Sequence, residues 1–572
     1  MTPNRSVTRR LLSILLLLAI ALAACQPQSA APAPKAEPVA KTDAAKPTSA
    51  PAAKADTKPA DASKPATQAD AQPTATGKPE TKPAASAMQK DNLVVAIAGE
   101  PTNLDTTNDL GNVGVRLLYP IFDLLIRRDF LDGNKLVPSL ATSWRRVDDL
   151  TLELKLRDGV LFHDGSKLTA DDVKFTFDRI LDPNARGEAR GYFLNLEGVQ
   201  VVDPLTVRIA TKAPDPLLEQ RLASYGAWIV PKVHVEKVGN EAFIQAPVGT
   251  GPYKFVEWRR ESQLVLDRFD GYWDQAPAAK RITFRLIPET ATRVAALLSG
   301  EVDIITNLPP DQVETVEANA GTSVRSVPLA NAHVLRYNVN SPALKDVRVR
   351  RAMNLAIDRE GLVRALWRGK ATVPRGFTFE GEFGYDPSRP TPEFNPDKAR
   401  ALLQEAGYAG EPIVYRTSPT YYSNGRQAAE AIVEMWKKVG LTVQLEVIEQ
   451  AANTQIDESG GLSVSNWSAT STLGDPDGYL WRNWGPDNNH QKRGYWQPEE
   501  FNQLGREART ILDQTRRNQI YQRMFDIFEQ DAPGTVLYIP LESYGLRKGI
   551  DWTPYPIYYF DARAYNLKLT AP

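Results

Sequence analysis

Cysteine is nearly absent: the 572-residue chain has one, Cys25, which excludes any disulfide within it. Histidine is almost as scarce. His163, His234, His333 and His490 are dispersed, and none has a second histidine at metal-ligand spacing. Excess charge of either sign is missing, with 68 Lys and Arg against 69 Asp and Glu, so the chain carries no basic footprint for nucleic acid. Phosphate loops of the G-x-x-x-x-G-K-[ST] type are lacking, and Gly249-Thr250-Gly251 lacks the third glycine and the context of a dinucleotide loop. Neither a G-x-S-x-G elbow nor an H-E-x-x-H pair occurs. These absences remove the signatures of an ATPase, a dinucleotide enzyme, an α/β-hydrolase and a zinc protease. No cofactor and no metal is called for, and His163, between two Asp-Gly turn signals, reads as a solvated turn residue.

The apolar run Leu11–Leu22 follows Arg5, Arg9 and Arg10. It is short for a membrane span and suits the core of a signal peptide. Leu22-Ala23-Ala24-Cys25 resembles a bacterial lipobox, in which cleavage before the cysteine leaves its thiol to carry a lipid. Residues 1–24 then read as a lipoprotein signal, and the mature chain as extracytoplasmic and anchored to the bacterial cell membrane through Cys25. Residues 25–90 are almost wholly Ala, Pro, Lys, Thr, Asp and Ser without an aromatic, too little apolar surface to offset the entropy of ordering. Such a tether spans roughly 5–6 Å × √n, about 45 Å, lengthened by its prolines.

Beyond it remain roughly 480 residues, enough for more than one core. Strand signals cover Leu93–Ala98, Thr151–Leu156, Leu205–Ile209, Leu264–Arg268, Ile282–Ile287, Val334–Val339, Leu441–Val447 and Val536–Pro540. Helix signals alternate with them. Asn395-Pro396 and Gly407 bracket one helix, Asp346 and Asp358 cap two more, and Phe501–Ile511 and Ile520–Phe528 carry amphipathic faces. The fold class is α/β with mixed sheets.

The most distinctive stretch is Leu136–Ile180. The alternating strand Thr151–Leu156 runs into the turn Asp158-Gly159, which reads as a hairpin. A second turn at Asp164-Gly165 leads to Thr169, the cap of a helix whose face is Val173, Phe177, Ile180 and Leu181. The order of these pieces resembles the family 5 extracellular solute-binding proteins, the receptors of peptide-type ABC importers. Further matching blocks follow the family's order: Glu100–Asp105, Pro247–Tyr253, Lys345–Ala352 with Ala356–Arg359, and Gly474–Asp477. The resemblance implies a type II periplasmic-binding-protein fold, two lobes joined by a hinge, plus an inserted domain. It implies lobe I over 91–136, 247–332 and 541–572, the inserted domain over 137–246, and lobe II over 333–540.

Between Asn466 and Trp496 six aromatics lie among small polar residues, the composition of a ligand cleft. Trp467 is the first candidate, with Trp481 and Trp484 beside it. The resemblance implies that main-chain groups at Asn112, Val113 and 467–475 hold a solute as an added strand, with Tyr192 contributed by the inserted domain. It also implies a departure. Peptide receptors of the family place an aspartate for the ligand's α-amino group where this chain has Thr470 or Thr472, and Asp475 or Asp477 is left to substitute, although Asp475 before Pro476 reads better as a turn or cap residue. Losing a charge-assisted bond costs about 1.5–3 kcal/mol, so blocked peptides, oligosaccharides or other neutral polar solutes are expected over free-amine peptides. The expected partners are a small solute and membrane permease subunits, and the protein is expected to be a monomer that binds without catalysis. The alternatives are a secreted lipoprotein hydrolase using the same cleft and a solute receptor for signalling.

Overall fold

The computed structural model describes residues 91–108, 110–184, 187–418, 422–448 and 462–570. The signal, Cys25 and the tether lie outside them. Among the described residues no helix is long and apolar enough to cross a membrane.

Three sheets organise the chain. The first has seven strands in the order Thr322–Pro328, Leu541–Arg547, Ile304–Ile305, Asn92–Ile97, Arg281–Leu286, Gln263–Arg268 and Tyr253–Arg259. Asn92–Ile97 runs parallel to both neighbours, and its Leu93, Val95 and Ile97 face one core while Ala96 faces another, which is why it reads as a continuous apolar run. The second sheet has five strands, Val443–Val447, Ile413–Thr417, Val464–Thr470, Asn331–Tyr337 and Gly534–Tyr538. The third has four, Ala141–Arg146, Thr151–Leu156, Thr206–Thr211 and Leu196–Asp203.

The five-stranded sheet is buried on both faces. Leu335 and Tyr337 pack with helices Val347–Leu355, Arg359–Trp367, Pro396–Ala406 and Gly425–Lys438, whereas Val334 and Ala469 pack with Glu499–Ala508 and Gln514–Asp531. Local signals start these helices. Asp346, Asp358 and Asn395 accept from the N–H groups of Arg348, Gly361 and Lys398, and Gly407 closes the last at φ +67°.

Two details differ from the sequence reading. Thr151–Leu156 pairs with Ala141–Arg146 before it and Thr206–Thr211 after it, so no hairpin forms at Asp158-Gly159. Gly159, at φ +77°, only turns the chain, and the tight return is at Asp164-Gly165, where Phe162 and Ser166 bond. His163 is not solvated. Its Nδ1 accepts from Gly249 N–H at 3.2 Å and its Nε2 meets Gly251 O at 3.0 Å, and burial draws its pKa down to about 4. Gly249 and Gly251 are required there, because a Cβ on either would meet Ile121 backbone at 2.1–2.6 Å.

The chain passes between the seven- and five-stranded sheets twice, through Leu329-Ala330 and Ile539-Pro540. Leu329 N–H donates to Pro540 O at 3.0 Å, and Ala330 O accepts from Ser471 at 2.7 Å, so the two crossings run side by side against the end of Val464–Thr470.

Candidate functional site

A polar seam lies between the two lobes where the chain leaves Val464–Thr470. Ser471 is pinned to the crossing, and Gly474 takes φ +70°, a backbone that disfavours any side chain. Asp475 then caps the following turn by accepting from Asp477 N–H at 2.9 Å. Its carboxylate is held bidentately by Arg517 at 2.6 and 2.7 Å. Asp477 is paired with Arg221 at 2.7 Å and Arg509 at 2.9 Å. Burial alone would push the Asp477 carboxyl up, but these two guanidinium groups hold it down at about 2.

The opposite pattern surrounds Arg128, on strand Ile126–Asp129. Its Nη1 donates to Thr472 O at 3.0 Å, its guanidinium sits 5.3 Å from the Phe130 ring centre, and a Cβ on Gly474 would stand 2.8 Å from Nη2. Among the described residues Arg128 is buried with no carboxylate in ion-pair range. Glu382, from the facing lobe, bonds the Ser471 hydroxyl. Burial pushes its pKa up to about 7, against the pull of Ser471 and Arg128. Around them the buried hydroxyls of Tyr192, Tyr225, Tyr479, Tyr559 and Thr472 have no hydrogen-bond partner of normal length among the described residues.

Cavities open to either side. One, of about 840 Å³, is lined by Asn112, Val113 and Tyr558 and across from them by His333, Trp367 and Tyr422. His333 stacks on Tyr422 at 3.5 Å, and burial draws its pKa down to about 3, so it is a neutral imidazole at physiological pH. The other, about 830 Å³, lies between Tyr192 and Arg221 on one wall and Asp477, Trp481 and Arg482 on the other. Such dimensions and mixed lining suit a small polar solute. Among the described residues no three His, Cys, Asp or Glu side chains converge as a metal site would require.

Residues 135–491 match the profile of the bacterial extracellular solute-binding proteins, family 5 Middle. The chain belongs to this family. A dipeptide-binding protein of Escherichia coli strain K12 is 27% identical over 491 residues, 79% of this chain and 90% of that protein. A probable D,D-dipeptide-binding periplasmic protein of the same strain is 29% identical over 477 residues, 80% of this chain and 90% of that protein. Among solved structures, an ABC transporter-associated periplasmic binding protein of Helicobacter pylori in complex with the peptide STSA superposes with a TM-score of 0.74 at 23% identity, covering 84% of this chain and 99% of that one. The fold is that of the type II periplasmic binding proteins.

In this family 5 chain the expected site residues separate. Asn112 and Val113 line the first cavity, and Tyr192 and Trp481 the second. Thr470 and Thr472 lie in the seam: the Thr470 hydroxyl accepts from Asn331 Nδ2 at 2.9 Å, and the Thr472 carbonyl holds Arg128. Three expectations need correction. Trp467 opposes Val334 in the sheet, so strand alternation turns its ring away from His333, onto Arg336 at 3.9 Å, while its indole N–H donates to Asn483 at 2.9 Å. Trp484 has no exposed surface and is wedged between Phe377 and Phe528. Asp475 and Asp477 are consumed by arginines and have no charge left for a ligand. Sequence reasoning missed Arg128, Tyr225, Glu382 and Tyr559. Only Tyr559 carried a signal, the aromatic run Trp552–Phe560; the other three depend on contacts with residues distant in the chain, Arg128 with Thr472, Glu382 with Ser471 and Tyr225 with Tyr559.

Proposed function

We propose that this protein is the substrate-binding component of an ABC importer, capturing a peptide-like or other small polar solute between its two lobes and presenting the closed form to membrane permease subunits. Lobe I comprises 91–136, 247–332 and 541–572, lobe II 333–540, and 137–246 is the inserted domain. Cys25 carries a lipid that holds the mature chain on the outer side of the membrane, with 25–90 as its tether. Asn112, Val113, Tyr192, Thr470, Thr472 and Trp481 contact solute, and no covalent chemistry takes place.

The observation that carries this reading is the seam. Buried polar groups left unpaired cost about 1–3 kcal/mol each, and here several cluster between lobes joined by two short crossings. A solute that satisfies them in the closed state supplies the differential binding that closure requires. Relatives named for dipeptides support a peptide-like ligand.

Native mass spectrometry of protein purified from its own membrane tests the reading. A small molecule should co-purify, and deletion of the chain should abolish its uptake by cells. Uptake that persists at the parental rate would sink the transport role. Cys25→Ser should release the protein from the membrane fraction, and unchanged retention would refute the lipid anchor.

A further inference from the structure

We infer that Arg128 and the tyrosine hydroxyls around it form a subsite for an oxyanionic group of the solute, a carboxylate or a phosphate. The inference rests on the seam being where solute binds.

The other buried guanidinium groups are either paired with carboxylates, as Arg517 with Asp475, Arg221 with Asp215 and Asp477, Arg563 with Asp123 and Asp561, and Arg116 with Glu542, or, like Arg293, Arg350 and Arg359, donate at several points to carbonyl and hydroxyl oxygens. Among the described residues Arg128, 6% exposed, has a single hydrogen bond, to a backbone carbonyl, and the Phe130 ring. Its position is built rather than incidental, because Gly474 is the residue that lets it approach the loop so closely.

The groups facing it can donate. Tyr192, Tyr225, Tyr559 and Thr472 are 4, 5, 2 and 2% exposed, and among the described residues their hydroxyls lack partners of normal length, Tyr192 having only longer contacts to Thr472 and Arg482 and Tyr225 one to the Tyr558 backbone. Tyr225 and Tyr559 stand with ring centres 5.2 Å apart and lie in the electrostatic field of Arg128, as Tyr192 lies in that of Arg482. A fixed cation with several convergent hydroxyl donors, out of water, is the arrangement that binds an oxyanion and gives it bidentate geometry. Glu382 stands across the seam bonded to Ser471. It faces Arg128, and behind it are Asp475, already paired with Arg517, and Tyr479. An anion on Arg128 favours the protonated form of Glu382, so binding takes up a proton.

The test is a thermal-shift titration with inorganic phosphate, chloride-matched for ionic strength, on the wild type, Arg128→Met and the double variant Tyr225→Phe/Tyr559→Phe. Phosphate should raise the melting midpoint of the wild type, more at pH 6 than at pH 8. The shift should vanish in Arg128→Met and shrink in the double variant. If Arg128→Met does not fold, the double variant, which keeps volume and charge, decides. No phosphate-specific shift in the wild type, or equal shifts in the variants, overturns the subsite. Calorimetry with tri-alanine and its C-terminal amide separates this from the solute reading. A phosphate shift with neither peptide binding would count against peptides as the solute and leave the subsite standing. Free and amidated peptide binding alike would overturn the subsite and leave the solute reading standing. The expected result is at least tenfold weaker binding of the amide, with that difference erased by Arg128→Met.

Discussion

The turn at Asp475–Asp477 and the cluster around Arg128 are a few residues apart, yet they treat buried charge in opposite ways. In the turn every carboxylate is matched to a guanidinium within 3 Å. In the cluster a guanidinium and a carboxylate face each other without an ion pair, and among the described residues the tyrosine hydroxyls beside them have no partner of normal length. A matched pair has no remaining affinity to offer a ligand. The unmatched groups retain theirs. Charge at a cleft is therefore a guide to binding only after its internal partners are counted, and by that count the aspartates of Gly474–Asp477 are structural.

The largest effect should come from breaking a matched pair. Arg517→Met leaves Asp475 buried and uncompensated and should cost about 3–5 kcal/mol, read as a lower denaturant midpoint; a loss below 1 kcal/mol would mean the pair is not matched as described. Arg221→Met should cost a similar amount, about 3–5 kcal/mol, because Asp215 is left buried without its guanidinium even though Arg509 still faces Asp477. Gly474→Ala touches both regions. The strained backbone costs about 1–2 kcal/mol, and the methyl displaces Arg128, so phosphate stabilisation should weaken along with the fold.

Acid–base behaviour sharpens the contrast. Glu382 titrates at about 7 in the folded protein against an ordinary 4.5, so between those values the folded state keeps a proton that the unfolded chain has released. Its contribution to stability is complete below about pH 4.5 and is lost as pH rises through 7. His333 and His490, drawn down to about 3 from 6.5, act oppositely: their contribution is present above 6.5 and is lost as pH falls toward 3. Glu382→Gln should remove the fall in stability between pH 4.5 and 7 and leave the histidine-linked loss below pH 6.5 in place, measured as the difference between the two denaturation–pH profiles. The smallest effect is expected from Tyr225→Phe alone. Removing a hydroxyl that has no partner of normal length among the described residues should leave stability within about 0.5 kcal/mol or raise it slightly, whereas a loss above 1 kcal/mol would show that its longer contact to the Tyr558 backbone is a true bond.

Much of the architecture was legible because its causes are local. Asp346, Asp358 and Asn395 cap the helices they precede in the sequence, and Thr151–Leu156 alternates because one face is buried. The site was less legible, since its partners are distant in the chain. Arg128 meets Thr472 across 344 residues and Arg221 meets Asp477 across 256, and nothing near either residue announces the other. Trp467 shows a different limit. Period-2 alternation tells which residues share a face, but not which face meets the cleft, and the aromatic that stood out belonged to the far side.

The paired crossings have a mechanical consequence. Two struts of two residues each, tied together by Leu329 and Pro540, permit a swing about the line through them and resist twisting or sliding. Motion of the two halves is thus reduced to a single angle, set at the seam and amplified toward the rims. On the proposed transport role, that one angle is all a permease would have to read.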